Sequence, residues 1–398
     1  MDKNNKIFKV FLVLLVSSSI VFVSLSPSLA NNTENLEQVI INYFHERSNC
    51  VISGSKSINK FYVVNSKLPQ FELSDRILKI HNFEGKFGKI VSMNSTPYIK
   101  SINISENTAE VSVYELILFD WMWNKDVITS GMGVNHEMIW SNEDGSWKIL
   151  KDSYDEGPLT GVRSPDYVTT TSLIVNADVK NDSMMSTQQN NVIVTATSYQ
   201  TYDRYSAARY ADYHVNHSFT TPGSDQVDYT KYNPYFKNFD QYGGGDCANY
   251  VSQSLHLDFY ANSIHYGGTL PYINPGVYNT SSWWYNTNGT GGTQTSDDYC
   301  SSTWSYAPDL YTFIINKGWG TQLTNGNSLS IGDLVFYDWR NSGDSPGIDH
   351  VTIVTAISSS GLPLVDSHSW DYYHVPWNYG YSTTIRYPVH IKDQVPIN

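Results

Sequence analysis

Glutamate is missing from everything beyond Glu156. That excludes glutamate-dependent chemistry from the C-terminal part of the chain, including the HExxH metalloprotease arrangement, whose helix must carry one. Cysteine is scarce as well: Cys50, Cys247 and Cys300 are the only three. An odd number leaves at least one thiol free even in an oxidising compartment. Cys50 and Cys300 could pair, though they fall in different halves of the chain. Positive charge is in short supply, with 25 Lys+Arg against 38 Asp+Glu and a net charge of −13. No basic patch for phosphates or nucleic acid is expected from that balance. Long apolar runs are confined to the start, where Val10 to Val23 follows Lys3, Lys6 and Lys9 and precedes Ser28-Leu29-Ala30. A charged region, an apolar run and a small-x-small site make a secretory signal over residues 1–30, cleaved after Ala30. No cysteine closes the run, so lipoprotein processing is not available. No later stretch is long and apolar enough to span a bilayer. The expected product is a secreted protein with no stable membrane insertion after cleavage.

What is present is enough for real cores: 40% apolar residues, 11 Trp and 30 Tyr in 398 residues, with room for two domains. Residues 33–157 read as an α+β accessory domain. Glu34 to Phe44 has a helical pattern with Thr33 as its N-cap and Leu36, Val39, Ile40, Tyr43 and Phe44 on one side. Tyr98–Ile104, Ala109–Trp123, Gly133–Trp140 and Trp147–Ser153 alternate like strands, with an Asn142-Glu-Asp-Gly145 turn between the last two. His81 and His136 show no ligand spacing and read as solvated or core-satisfied side chains. From residue 158 to 200 Ser, Thr, Asn, Asp and Gln dominate, as in an extended linker.

Residues 201–392 read as a second domain. Asp203 caps a helix running to His217, on which His214 and His217 form an i, i+3 pair without a third ligand at a telling spacing. No metal and no cofactor is expected. Gly243-Gly-Gly245 cannot stay helical, and a helix opens directly after it with Asp246 as N-cap and Cys247, Tyr250, Val251 and Leu255 on one face. Cys247 thus stands in the first turn, where free N–H groups and the macrodipole favour a thiolate. It reads either as a nucleophile or as a small apolar residue opening a core helix. Trp283-Trp284-Tyr285 and Trp304 lie in a Gly/Asn/Thr-rich stretch, where they either floor a substrate groove or pack the loop onto its own domain. Leu334–Trp339 reads as a buried strand. Ile348–Ile357 and Leu364–Ser369 read as an antiparallel hairpin around residue 359, which places His350 across from residues 366–369. Asp366 and His368 share a face by the period of two, so both can approach His350.

A cysteine nucleophile needs an imidazole to manage its proton and a third polar group to fix that ring. Cys247, His350 and then His368 or Asp366 supply these in order. "Gly-Asp-Cys" before a helix, "Ile-Gly-Asp-Leu-Val-Phe" and "Asp-His-Val-Thr-Ile-Val" together resemble the papain-like bacterial cell-wall cysteine hydrolases. Tyr202–Ala211, Asp246–Gln253, Trp283–Tyr285, Gly332-Asp333, Asp349-His350 and Ser367-His368 resemble, more closely, the putative amidase domain family within that group. The family often has Thr-Asn-Phe where this chain has Ala248-Asn249-Tyr250. The resemblance implies a papain-like domain, a cysteine-bearing helix packed on an antiparallel sheet. It also implies amide or peptide-bond hydrolysis through a thioester on a peptide or peptidoglycan substrate. Cys247 would attack, His350 would act as base and then acid, and His368 would orient His350, with Asp366 as the alternative third member. Gln241, six residues before the cysteine, is a candidate oxyanion donor. The N-terminal helix and curved strands resemble, loosely, the cone-shaped nuclear-transport-factor-like fold. Two other functions are compatible with the sequence: a non-catalytic wall- or glycan-binding protein, and an acyltransferase using the same triad.

Overall fold

The computed structural model describes residues 27–167, 198–220, 232–233, 236–242, 245–256, 268–286, 299–339 and 347–397. Helix α1 (Pro27–Ser53) begins well before Thr33, so Thr33 is not its cap. Leu36, Ile40, Tyr43 and Phe44 make its buried stripe at i, i+4, i+7 and i+8. A second helix, α2 (Ile77–Phe87), buries Ile80, Phe83 and Phe87 and ends at Gly88, whose φ of 126° lies outside ordinary L-residue space. Strands β1 (Ile90–Ser105), β2 (Thr108–Trp123), β3 (Asp126–Glu143) and β4 (Ser146–Tyr154) form an antiparallel meander. The β3–β4 turn is the expected one. Asp144 and Gly145 both have positive φ, and Asn142 Oδ1 accepts the Gly145 N–H at 2.9 Å.

The second half is equally mixed. A short β5 (Tyr199–Thr201) leads to α3 (Arg204–Thr220), which Asp203 caps through the Ser206 N–H at 3.0 Å. Then follow α4 (Cys247–Leu255), α5 (Ala307–Asn316), β6 (Gly320–Gln322), β7 (Leu334–Asp338), β8 (His350–Ile357), β9 (Pro363–Ser367), β10 (Tyr372–Pro376), β11 (Ile385–Ile391) and β12 (Gln394–Pro396). Trp283, Trp284 and Trp304 are all buried, so the aromatic stretch packs onto its own core rather than flooring an open groove. No helix among the described residues is long and apolar enough to cross a membrane.

The two halves share one sheet. Its order is β1-β2-β3-β10-β9-β8-β7-β11-β6, with β4 also on β3. Strand β3 is long enough to serve two neighbours. Its C-terminal part pairs β4, while Gly131 and Met132 pair Tyr373 and Tyr372 of β10. Tyr114 pins this seam by donating to Asp371 at 2.7 Å, and its ring passes over Gly133, where any Cβ would overlap the hydroxyl. A single apolar cluster runs from Phe83, Phe119 and Met132 to Val335, Tyr337 and Val365. Leu159 and Val162 are buried in it, so the chain just beyond Gly157 packs against the sheet, although its composition reads as a connection. Residues 168–197 lie outside the described set.

Inside the first half sits a buried ionic knot. Arg47 reaches Glu115 at 2.5 Å and Glu156 at 3.0 Å, and Arg76 reaches Glu156 at 2.6 Å. His136 donates to Asp152 at 2.8 Å and to Glu115 at 3.0 Å, so it is satisfied in the core. Burial alone would lower its pKa, but Asp152 and Glu115 outweigh that and raise it to about 9. Burial would raise Glu115, yet Arg47 and His136 hold it down at about 2. Unfolded, this histidine loses its proton near 6.5. The folded protein therefore binds more protons between there and pH 9, and stability must fall as pH rises across that window. Denaturant unfolding at intervals from pH 6.5 to 9 should show this decline, and a His136→Gln variant should lack it. A wild-type curve that stays flat would contradict the ionised knot.

Candidate active site

Helix α4 starts where Gly245, at φ 75°, turns the chain, and every residue from Cys247 to Leu255 is buried. The expected side-chain cap is not made. Asp246 turns its carboxylate away from the helix N–H groups, accepting instead from the Phe239 N–H at 3.1 Å, Asn249 Nδ2 at 2.8 Å and His368 Nδ1 at 2.8 Å. Its own N–H donates to Ser369 Oγ at 2.5 Å, and that hydroxyl donates to Asp240 at 3.0 Å. Ser369 adopts φ 78°, a conformation few non-glycine residues take, to sit between them. Tyr250, one turn along α4, stacks on the His368 ring at 4.0 Å. His368 is thus fixed in angle and tautomer, and its Nε2 is buried without a hydrogen-bond partner.

The expected meeting of His350 with Asp366 and His368 does not occur. In the β8–β9 ladder Ile353 faces Asp366 and Val354 faces Val365, with an irregularity before Ala356. That register is offset by one residue from a hairpin pairing 350 with 368. Because strand side chains alternate, one residue exchanges the faces. Asp366 lies on the face of Ile353, which with Val351 packs on α4, and His368, in the turn beyond β9, reaches Asp246 at the start of that helix. His350 leaves from the other face, against Tyr337, Trp339 and Trp370 with ring centroids 5.9, 5.7 and 5.8 Å away. Its Nε2 has no partner, and burial lowers its pKa to about 3. Asp366 does not serve His350 either: it accepts the His374 N–H at 2.7 Å.

Cys247 stands at the notch that this register creates. β9 departs after Ser367, and the first turn of α4 fills the edge of β8, so the Val351 N–H, together with that of Ala248, faces the sulfur. The residue is 9% exposed. Burial pushes its thiol up to about 12, with Asp240 and Asp246 adding to the rise and the two N–H groups only partly offsetting it. The thiolate expected from the helix terminus is therefore not the resting form: desolvation outweighs the macrodipole. Among the described residues no hydrogen bond joins the sulfur to either imidazole, and burial keeps the Cys247 thiol protonated and the His350 ring neutral. Cys50 and Cys300 are free thiols too, so they do not pair. Gln241 falls in a short 3-10 turn, Phe239–Tyr242, but its side chain lies outside the described residues. His214 is buried, and the side chain of His217 lies outside the described residues. The residue that sequence reading assigned the wrong task is Asp246. A capping aspartate and an orienting one look alike in sequence, and only the fold separates them.

Native protein at neutral pH should therefore alkylate at Cys247 more slowly than a free model thiol, with the rate climbing as pH rises. Peptide-resolved labelling with iodoacetamide checks this. Labelling faster than the free thiol would contradict the dry, neutral sulfur.

Three comparisons bear on this arrangement. A family model described as a putative amidase domain matches residues 201–390, the part that carries α3, α4 and the strands β6 to β11. The uncharacterized protein YhbB of Bacillus subtilis strain 168 is 28% identical over 200 residues, covering 48% of this chain and 51% of that protein. The chain thus spans about half the length of the curated relative it matches. The crystal structure of a putative scytalone dehydratase from Novosphingobium aromaticivorans is 14% identical, covering 35% of this chain and 92% of that one. Its TM-score of 0.24 is too low to bear on fold. The match over residues 201–390 suggests a hydrolase acting on amides.

Proposed function

We propose that the chain is an exported cysteine amidase, papain-like in arrangement, that cleaves amide bonds through a thioester on Cys247 and acts on cell-wall peptides. The observation that carries this reading is the setting of the sulfur. It lies in the first turn of α4, faced by the Val351 and Ala248 N–H groups, and the residue before it holds a buried imidazole. Those N–H groups and that of Cys247 itself supply donors for the charge that develops on a carbonyl oxygen under attack.

His368 is the better-equipped base. With Nδ1 donating to Asp246, Nε2 keeps its lone pair, and the carboxylate stabilises the imidazolium that follows proton uptake. As an amide enters the notch, the thiol proton passes to this nitrogen while sulfur bonds to the carbonyl carbon. The imidazolium returns the proton to the leaving amine as the C–N bond breaks. A water, deprotonated by the same ring, then cleaves the thioester and frees the acid and the thiol. His350 is a second candidate because it opens the peptide whose N–H faces the sulfur. Against it, no carboxylate holds its ring and burial disfavours its charged form. A wall- or glycan-binding role through exposed aromatics is disfavoured, since Trp283, Trp284 and Trp304 are buried. The N-terminal helix-and-sheet half, nuclear-transport-factor-like in outline, would brace the turn that carries His368 through the β3–β10 seam.

Purified sacculi incubated with wild type should release fragments that Cys247→Ala does not, and equal release would remove the enzyme reading. An amine added in excess distinguishes hydrolysis from acyl transfer by the product it captures. Among active-site variants, His368→Ala should lower kcat by about 10²-fold or more, while His350→Ala should lose less. The opposite ranking would transfer the base role to His350.

A further inference from the structure

Away from the sulfur, three elements bring together a second set of polar side chains. Asp212 on α3, Asp366 on β9 and His374 on β10 each offer one ligand atom, and these atoms all lie within 4.8 Å of one another. Asp212 Oδ1 and His374 Nε2 are 3.1 Å apart. Two donors on one first-row ion, each bound at about 2.0–2.2 Å, stand roughly this far apart.

The buried, unpartnered oxygen of Asp366 beside two other donor atoms is what calls for a ligand. Asp366 is fully buried; the His374 N–H donates to its Oδ1 at 2.7 Å and the Thr355 side chain approaches the carboxylate, but Oδ2 makes no hydrogen bond. A buried carboxylate oxygen without a donor is costly, and a second carboxylate beside it makes matters worse. Within the trio only the His374 ring can supply positive charge. The backbone contact to Oδ1 fixes the Asp366 carboxylate from behind, as outer-shell hydrogen bonds do for metal-binding carboxylates. His374 lies at φ 49° and lines an open groove of about 470 Å³ between Lys125–Thr129 and Ser358–Ser359, and the His374 and Asp212 side chains are both partly exposed, so solvent reaches these two members of the trio. No sequence spacing signals this set, since its members come from three separate elements.

We propose that Asp212, Asp366 and His374 bind one divalent first-row transition-metal ion, of the zinc or manganese kind. Two carboxylates and an imidazole suit such ions better than calcium or magnesium, which favour all-oxygen shells. The ion staples α3 to the strands β9 and β10 and completes its coordination with water from the groove. Asp366 is two residues before His368, which stands in the turn just beyond β9, so the ion also anchors the run that delivers His368 to Asp246. The site is independent of whether Cys247 is catalytic.

The test uses the full chain, freed of metal by a chelator that is then removed, and titrated with Zn²⁺ or Mn²⁺ by calorimetry and by thermal unfolding. Expected are one ion per chain and a raised Tm, with Cys247→Ala binding as wild type does. Asp366→Asn should abolish this binding, and Asp212→Asn, at a partly exposed position, should weaken it at least tenfold while circular dichroism stays unchanged. Wild-type affinity in a folded Asp212→Asn variant would overturn the proposal, as would the absence of stoichiometric binding by wild type at millimolar metal.

Discussion

A single buried hydrogen bond, from His368 Nδ1 to Asp246 at 2.8 Å, ties the sheet to the helix that carries the cysteine. A half-satisfied buried polar network is worse than an apolar core, so each member here has to be satisfied or aimed at something. The Asp246 carboxylate accepts from the Phe239 N–H, the Asn249 side chain and His368, and from no backbone N–H of its own helix. The consequence is geometric. The strand end at Ser367 and the helix start at Cys247 are brought side by side, and the edge left between them is where the Val351 N–H meets the sulfur. The same burial that makes this bond strong keeps the thiol protonated, so reactivity has to be delivered with the substrate rather than stored in a resting thiolate.

The dependence reaches into the N-terminal half. Strand β3 pairs β10, the strand that returns from the His368 turn, and Tyr114 bonds Asp371 within that turn. Behind this seam lies the knot of Arg47, Arg76, Glu72, Glu115, Glu156, His136 and Asp152. Removing one member of such a knot leaves uncompensated charge, typically at ~3–5 kcal/mol. A sheet backed by it is therefore stiff in the region that positions the turn. The proposed bracing role of the N-terminal half follows from this without requiring it to touch substrate.

Much of the local structure was legible in the chain. Alternation marked β1 to β4, Asp144-Gly145 marked a hairpin turn, Asp203 marked the start of α3, and the triple glycine marked the start of α4. What escaped was anything set by pairing between distant segments. The hairpin was centred one residue away from its true register because the irregularity before Ala356 leaves no sequence trace, and that single residue moved His350 to the opposite face from His368. The continuity of the sheet across the expected linker was equally hidden, since β3 gives no sign that its length serves two partners. Composition suggested where one half ends, but it could not reveal that Leu159 and Val162 stay in the shared core.

The most direct measurement is a nitrogen-resolved NMR spectrum of the histidine rings, with His368 assigned by substitution. The arrangement described here requires a slowly exchanging proton on His368 Nδ1, none on Nε2, and loss of that slow proton in Asp246→Asn. A ring whose Nδ1 proton exchanges like that of an exposed imidazole, or whose spectrum is untouched by Asp246→Asn, would contradict it.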